Sequence, residues 1–231
     1  MTEALVPVPV VDTKLAAARQ VLLTLEAPHH TAAHLLPGQY ARLAFEDGVP
    51  RPFAIASAPG SARFEFLLKV PEERVAPLLA LGSGDKIQMG APQGKGFPID
   101  AAHGKALLLF AVGSGIAPIR AVIEHLLPRR GEIGEITLFY GVRDPSELCF
   151  TARFGTWAGH GVGVLPIVSR AAHGAGAWDG RRGRVQDHLP KELASPERVV
   201  AFVCGLPEMD RDVAGALLAR GVGPEQVFRN W

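Results

Sequence analysis

At 231 residues the chain is long enough for one large domain or two of roughly 100 residues each. A formal net charge of +1 carries none of the basic footprint of a nucleic-acid or anionic-membrane binder, and no apolar stretch reaches the roughly 18 residues that span a bilayer. Cys149 and Cys204 are the only two cysteines, too few for a metal or iron–sulfur quartet, and the N-terminus MTEALVPVPVVDTK shows no secretory leader, so a reducing, cytoplasmic setting is expected.

The first hundred residues predict short strands separated by turns. Arg19 to Leu25, Gln39 to Phe45 and Arg63 to Val70 alternate in hydropathy, with turn signals at Pro37-Gly38, Asp47-Gly48 and Pro59-Gly60. A short helix is predicted at Val75 to Leu81, then a turn at Gly82-Ser83-Gly84-Asp85 and a strand over Lys86 to Gly90. This spacing predicts a small antiparallel barrel or sandwich. After His103-Gly104 the rhythm changes. Apolar strands at Ala106–Val112, Glu135–Gly141, Gly163–Ser169, Arg198–Cys204 and Gln226–Phe228 alternate with loops and with helices at Pro118–Leu127 and Pro207–Arg220. That is the pattern of a five-stranded parallel α/β sheet with crossover helices. The expected domains are therefore residues 1–102, the antiparallel β domain, and 103–231, the α/β domain.

Within the second half, ALLLFAVGSGIAPIR is the most informative stretch. Ala106 to Val112 has the continuous apolarity of a strand buried on both faces. Gly113 and Gly115 allow a sharp turn and a close approach to a ligand, and Pro118 suits a first helical turn. Strand, glycine turn and helix start make a cradle for a phosphate or pyrophosphate. Ligands of open α/β sheets collect beyond the carboxyl ends of the strands. Three further segments fall there: Gly141-Val142-Arg143-Asp144, Ser169-Arg170 and Cys204-Gly205-Leu206-Pro207. Each could be an ordinary strand-to-helix turn, but their joint occurrence favours a binding edge. In the first half, RPFAIAS (Arg51 to Ser57) offers a guanidinium fork for phosphate and an aromatic for stacking on a flat ring. Its plain alternative is a barrel strand with a surface arginine and a core phenylalanine. The histidines show no metal-ligand spacing, and no metal is expected.

Taken together, RPFAIAS, LLKV (Leu67 to Val70), GAPQGKGF (Gly90 to Phe97), VGSGIAP, YGVRDPSEL and VCGLPEM resemble, in order and spacing, the motifs of the ferredoxin–NADP reductase superfamily. The resemblance covers essentially the whole chain. It implies that residues 1–102 form an antiparallel β-barrel carrying FAD, with NADP or NAD on the second domain. Arg51 and Pro52 would sit at the flavin pyrophosphate and Phe53 against the isoalloxazine. Backbone groups around Ala54, Ile55, Leu68 and Lys69 would hold the ring edge and the ribityl–adenosine arm, and Gly94 would also be a cofactor-binding position. The coenzyme pyrophosphate would lie over Gly113, Ser114, Gly115, Ile116, Ala117 and Pro118, with Gly141 and Arg143 in the next loop. Cys204, Gly205 and Leu206 would lie near the nicotinamide, and Met209 beside the ribose. Cys204, Ala54 and Trp231 are the candidates for the reacting centre, with Trp231 either a lid over the flavin or a packed indole. Ser169-Arg170 resembles the pair that holds a 2′-phosphate, leaning towards NADP, although NAD-specific relatives carry it too.

The departures from the family pattern are specific. The family's tyrosine is Phe53, its serine or threonine near flavin N5 is Ala54, and its hydroxyl-bearing segment falls at Val75-Ala76-Pro77, which has no hydroxyl. Two functions follow. One is a flavin-dependent NAD(P)H oxidoreductase delivering electrons to an external acceptor: a ferredoxin, a partner subunit or a small molecule. The other is a non-catalytic nucleotide-binding or interaction module on the same fold with a degenerate flavin site.

Overall fold

The computed structural model describes residues 4–170 and 178–230. Val6–Ala17 (β1), Gln20–Glu26 (β2), Tyr40–Ala44 (β3), Arg51–Ala54 (β4), Arg63–Lys69 (β5) and Lys86–Met89 (β6) form an antiparallel six-stranded sheet, and Glu72–Leu79 (α1) lies between β5 and β6. The strand order is β4-β3-β6-β1-β2-β5. The two ends of the sheet curl towards each other: Ile55, just past β4, bridges Phe66 of β5, and the Ala56 N–H donates to the Glu65 carbonyl at 2.7 Å. Alternate residues such as Val8 and Val10, Leu23 and Leu25, and Phe64 and Phe66 fill the interior, as a period of two requires.

β1 is the barrel strand that hydropathy missed, because Pro7 and Pro9 read as strand breakers. Its register explains their tolerance. Residues Val6 to Pro9 pair only with β6, whereas Val10 to Ala17 pair with β2. Each proline therefore lies where one side of the strand has no ladder to lose.

The second sheet contains Ala106–Val112 (β7), Ile136–Val142 (β8), Val162–Val168 (β9), Arg181–Arg182 (β10), Val199–Cys204 (β11) and Val227–Arg229 (β12), all parallel in the order β10-β9-β8-β7-β11-β12. The five expected strands are present, and the two-residue β10 adds an edge. Ile116–Leu126 (α2), Thr151–Gly159 (α3) and Pro207–Leu218 (α4) are the crossover helices. Leu107, Leu109 and Ala111 pack with α2 and α3, while Leu108 and Phe110 pack on the face that buries Met209, Val213 and Leu217 of α4. Continuous apolarity in β7 thus records two covered faces.

The sheets meet along an extended interface. The hairpin tip between β1 and β2 docks on the turn after β8, with the Ala18 N–H donating to the Ser146 carbonyl at 2.9 Å and Gln20 Nε2 to the Glu147 carbonyl at 3.0 Å. Phe97 stacks on Phe202 of β11 with centroids 4.7 Å apart, and Asn230 Nδ2 donates to the Gly38 carbonyl at 3.2 Å. His34 is 2% exposed, its ring 5.5 Å from Phe64 of β5, and neither ring nitrogen has a hydrogen-bond partner among the described residues. Burial, with His125 of α2 adding like charge, pushes its pKa down to about 4. In the unfolded chain the imidazole titrates near its ordinary value of about 6.5, so the native state is fully favoured above that pH and loses stability as pH falls towards 4. We expect about 2 kcal/mol of acid-dependent destabilisation from this group after allowance for residual solvent screening. Urea titrations at pH 7.0 and 4.5 will measure it, and the His34→Phe variant should lose that part of the pH dependence. An unchanged slope in the variant would place the acid sensitivity elsewhere.

Candidate functional site

On the barrel, β4 consists of Arg51, Pro52, Phe53 and Ala54 and hangs on the sheet edge beside β3, where Tyr40 pairs with Ala54 and Ala41 with Phe53. A cleft of about 720 Å³ opens beside it, lined in part by Arg51, Phe53, Leu68, Lys69, Arg74 and Lys86. Four cations therefore face it, against the carboxylates of Glu46 and Asp85. The balance suits a flat aromatic group carrying an anionic arm. Arg51 is held at the rim by a two-pronged ion pair, Nη2 to Asp47 Oδ2 at 2.8 Å and Nη1 to Oδ1 at 3.2 Å. The guanidinium bond keeps the Asp47 carboxyl below its usual range, with the Val49 backbone N–H adding to the effect.

Other predicted barrel residues are placed differently. Ile55 is fully buried in the barrel interior, and its N–H is already committed to the Gln39 carbonyl at 2.9 Å. Gly94 adopts φ +89° against the Tyr40 ring, where a Cβ would stand 3.1 Å from Cδ1. It lies near the Tyr40–Ala54 pair and does not line the cleft. Leu68 and Lys69 are on β5, paired with Val21 and Gln20.

On the second sheet, the predicted edge assembles at the carboxyl ends of four adjacent strands. Gly113, Ser114 and Gly115 form one 3₁₀ turn between β7 and α2. Gly113 has φ +57° with open space where a Cβ would be. Gly115 is required for a different reason: its Cβ would collide with the Cys204 carbonyl oxygen and come within 3.2 Å of the Gly205 nitrogen. The absent side chain lets the turn rest directly on the end of β11. Ile116, Ala117 and Pro118 are the buried first turn of α2, and no side chain among the described residues caps that helix start. Its N–H groups can serve an anion.

Gly141 lies in β8, register-paired with Val112 of β7, and Val185 leaves no room for a side chain there. The chain beyond β9 is fastened to the chain beyond β8, as the Ser169 N–H donates to the Val142 carbonyl at 2.9 Å and the Arg170 N–H to that of Arg143 at 2.8 Å. Arg143 and Arg170 are both exposed at this edge. β10 pairs Arg181 with Ile167 and Arg182 with Val168, beside the same strand end, whereas Arg184 is tied to Asp212 at 2.8 Å.

Cys204 ends β11, and burial pushes its thiol up to about 12, with the polar Asn230 side chain opposing the shift. It is a neutral thiol at physiological pH. Gly205 leaves room for the Met209 side chain, and Leu206 is exposed at the start of α4. Met209 is 8% exposed and packed among the α4-side apolar residues. Trp231 lies outside the described residues.

Sequence reasoning did not find Asp47, Arg74, Lys86, Asn230 or the Arg120–Glu65 pair. Asp47 had a local signal, since an acid four residues before Arg51 in an Asp-Gly turn can fold back on it. Arg120 had one too, as a single charge in the apolar run of α2. Nothing local pointed to its partner, Glu65 of β5, 55 positions away and 2.6 Å from it in the fold.

Residues 109–215 match the family described as the oxidoreductase NAD-binding domain. The chain is 29% identical over 197 residues to the sulfhydrogenase 1 subunit gamma of Pyrococcus furiosus, covering 83% of this chain and 66% of that protein. It is 28% identical over 195 residues to the ferredoxin–NAD(P)+ reductase component of the naphthalene 1,2-dioxygenase system of Pseudomonas putida, covering 83% of this chain and 58% of that one. The chain therefore spans less than two thirds of the length of either relative. In fold it resembles a ferredoxin NADP+ reductase from Neisseria gonorrhoeae, solved with bound FAD and NADP, with TM-score 0.80, 23% identity and 98% of both chains covered. The antiparallel barrel, the parallel sheet and these matches together make the chain similar to reductases of the ferredoxin–NADP reductase type, with residues 109–215 matching an oxidoreductase NAD-binding domain.

Proposed function

We propose that this chain is a flavin-dependent NAD(P)H oxidoreductase, with FAD carried by residues 1–102 and the nicotinamide coenzyme by 103–231, and with electrons leaving to an external acceptor. The observation that carries the reading is that β5 lies against the Gly113–Gly115 turn. The strand next to the cation-lined cleft and the phosphate-accepting turn thus share one seam. When bound together, the two cofactors supply hydride transfer between nicotinamide and flavin and onward release of electrons.

The residues present fit both groups. Arg51, Lys69, Arg74 and Lys86 can neutralise a diphosphate, Phe53 offers a ring face, and the start of α2 offers N–H groups. Arg51 would exchange the Asp47 carboxylate for phosphate, a low-cost exchange because the pair is exposed. Cys204, neutral and half-buried, would shape the nicotinamide pocket without adding charge or acting as a nucleophile. Ala54 would leave the flavin edge without a side-chain hydroxyl. Ser169, Arg170, Arg143 and Arg181 would meet the adenosine end, which favours NADPH over NADH. Electrons would go to a redox partner protein or a small-molecule acceptor; the relative from the naphthalene dioxygenase system is named as a ferredoxin–NAD(P)+ reductase component. No helix among the described residues is long and apolar enough to cross a membrane.

Purified protein should be yellow, or become so on addition of FAD, and should bleach anaerobically under NADPH faster than under NADH. Colourless protein that takes up no FAD would overturn this reading in favour of a non-catalytic module. Equal bleaching by both coenzymes would remove the NADP preference alone.

A further inference from the structure

A charge cluster centred on a buried arginine bridges the two halves of the molecule at the point where the proposed sites meet. Arg120 on α2 is 5% exposed, yet its guanidinium lies 2.6 Å from Glu65 Oε2 on β5 and 3.5 Å from Glu124 Oε1 one helical turn on. Arg153 of α3 approaches the same Glu124 oxygen at 3.5 Å, so the cluster balances two cations against two carboxylates. Above the Arg120 guanidinium sits the Phe150 ring, 4.7 Å from its centroid. Phe150 begins α3 with φ +60°, a left-handed conformation uncommon for a residue with a bulky side chain. Arg120 Nε and Nη1 are buried without hydrogen-bond partners among the described residues, so the Glu65 bond is the principal anchor of the group.

What each end carries gives the cluster its meaning. Arg120 lies on the helix that starts at Gly115, the proposed coenzyme pyrophosphate turn. Glu65 lies on the strand that receives the chain leaving β4, through the Ala56 N–H to Glu65 carbonyl bond and the Glu65 N–H to Ser57 Oγ bond at 3.2 Å. Phe150 follows the loop that begins at Arg143. We propose that Arg120, through Glu65, is a positioning residue that sets the spacing between the coenzyme turn and the flavin-bearing strand. This rests on the reading given under Proposed function. A charge taken so far out of water is poor value for stability alone, since an apolar side chain of similar volume would serve as well. Its use is geometric: a two-ended polar contact fixes register where apolar packing would let the halves slide, and a reacting pair misplaced by about 1 Å loses up to roughly a hundredfold in rate.

The test compares Glu65→Gln, Arg120→Met and Arg120→Lys with the parent protein. The parent holoprotein is expected to bleach rapidly at saturating NADPH and the apoprotein to unfold in one calorimetric transition. Glu65→Gln and Arg120→Met should keep their flavin and bind NADPH within about threefold of the parent. They should slow bleaching at saturating coenzyme by roughly tenfold or more, weaken the long-wavelength charge-transfer band, and split the apoprotein transition in two. Arg120→Lys should recover part of the rate. Unchanged bleaching and band in Glu65→Gln, whatever its melting temperature, would overturn the proposal, as would loss of flavin from that variant. If Arg120→Met does not fold, the Glu65→Gln result decides. If the parent binds no flavin, the functional reading fails separately, and a single unsplit apoprotein transition in Glu65→Gln then overturns the clamp as well.

Discussion

Gly115→Ala is expected to lower stability by about 3 kcal/mol, a fall of roughly 10 °C in Tm for a chain of this size, and to weaken nicotinamide-coenzyme binding at least tenfold. The added Cβ would collide with the Cys204 carbonyl oxygen and stand 2.8 Å from the carbonyl carbon. Both obstacles are backbone, and β11 is held on its two sides by β7 and β12, so it cannot yield cheaply. The turn must lift instead, carrying the first residues of α2 and their N–H groups off the anion position. Gly113→Ala separates conformational cost from collision. Position 113 has φ +57° but nothing within 4 Å of a Cβ, so that variant should cost only about 1 kcal/mol. Thermal melts and coenzyme titrations of the two variants, side by side, check the difference. A Gly115→Ala protein no worse than Gly113→Ala would mean that the turn does not press on β11.

Arg51→Ala is expected to weaken FAD binding ten- to a hundredfold, as loss of a charge-assisted fork to phosphate does. Asp47→Asn should do the opposite and tighten FAD a few-fold, because its carboxylate competes for the same two guanidinium nitrogens at 2.8 and 3.2 Å. Arg51→Lys should fall between, since a lysine supplies charge without the fork. The parent affinity should drop with added salt more steeply than that of Arg51→Ala. Fluorescence titration of apoprotein with FAD at two ionic strengths reads all of this. If Arg51→Ala binds FAD as the parent does, the cation-lined cleft is not the phosphate site.

The legible parts of the fold were those whose signal is carried by neighbours in sequence. β5 alternates because one face is barrel interior, and β7 is apolar throughout because α2 and α4 cover both faces. β1 was illegible because its two prolines are harmless only if residues 6–9 have a strand on one side alone, a fact of sheet order. α3 was equally hidden. It carries Gly155 and two threonines, and it starts from the left-handed Phe150, whose ring sits over the Arg120 guanidinium. At the candidate site, the glycine turn could be found from sequence because what a glycine permits is local. Ile55 enters by motif for its backbone groups, and its side chain fills the barrel core, while Met209 packs among the α4-side core residues.

By itself, then, the sequence determined the two-part architecture, the strands of the parallel sheet and the glycine turn with its flanking edge segments. Each follows from periodicity or from backbone freedom, which are properties of a few consecutive residues. Only the tertiary structure decided that Gly115 must lack a side chain because of Cys204, and that Glu65 holds Arg120 across the seam. Close approach and charge pairing depend on distance in space, and a folded chain brings positions 55 or 89 residues apart into contact without either one naming its partner.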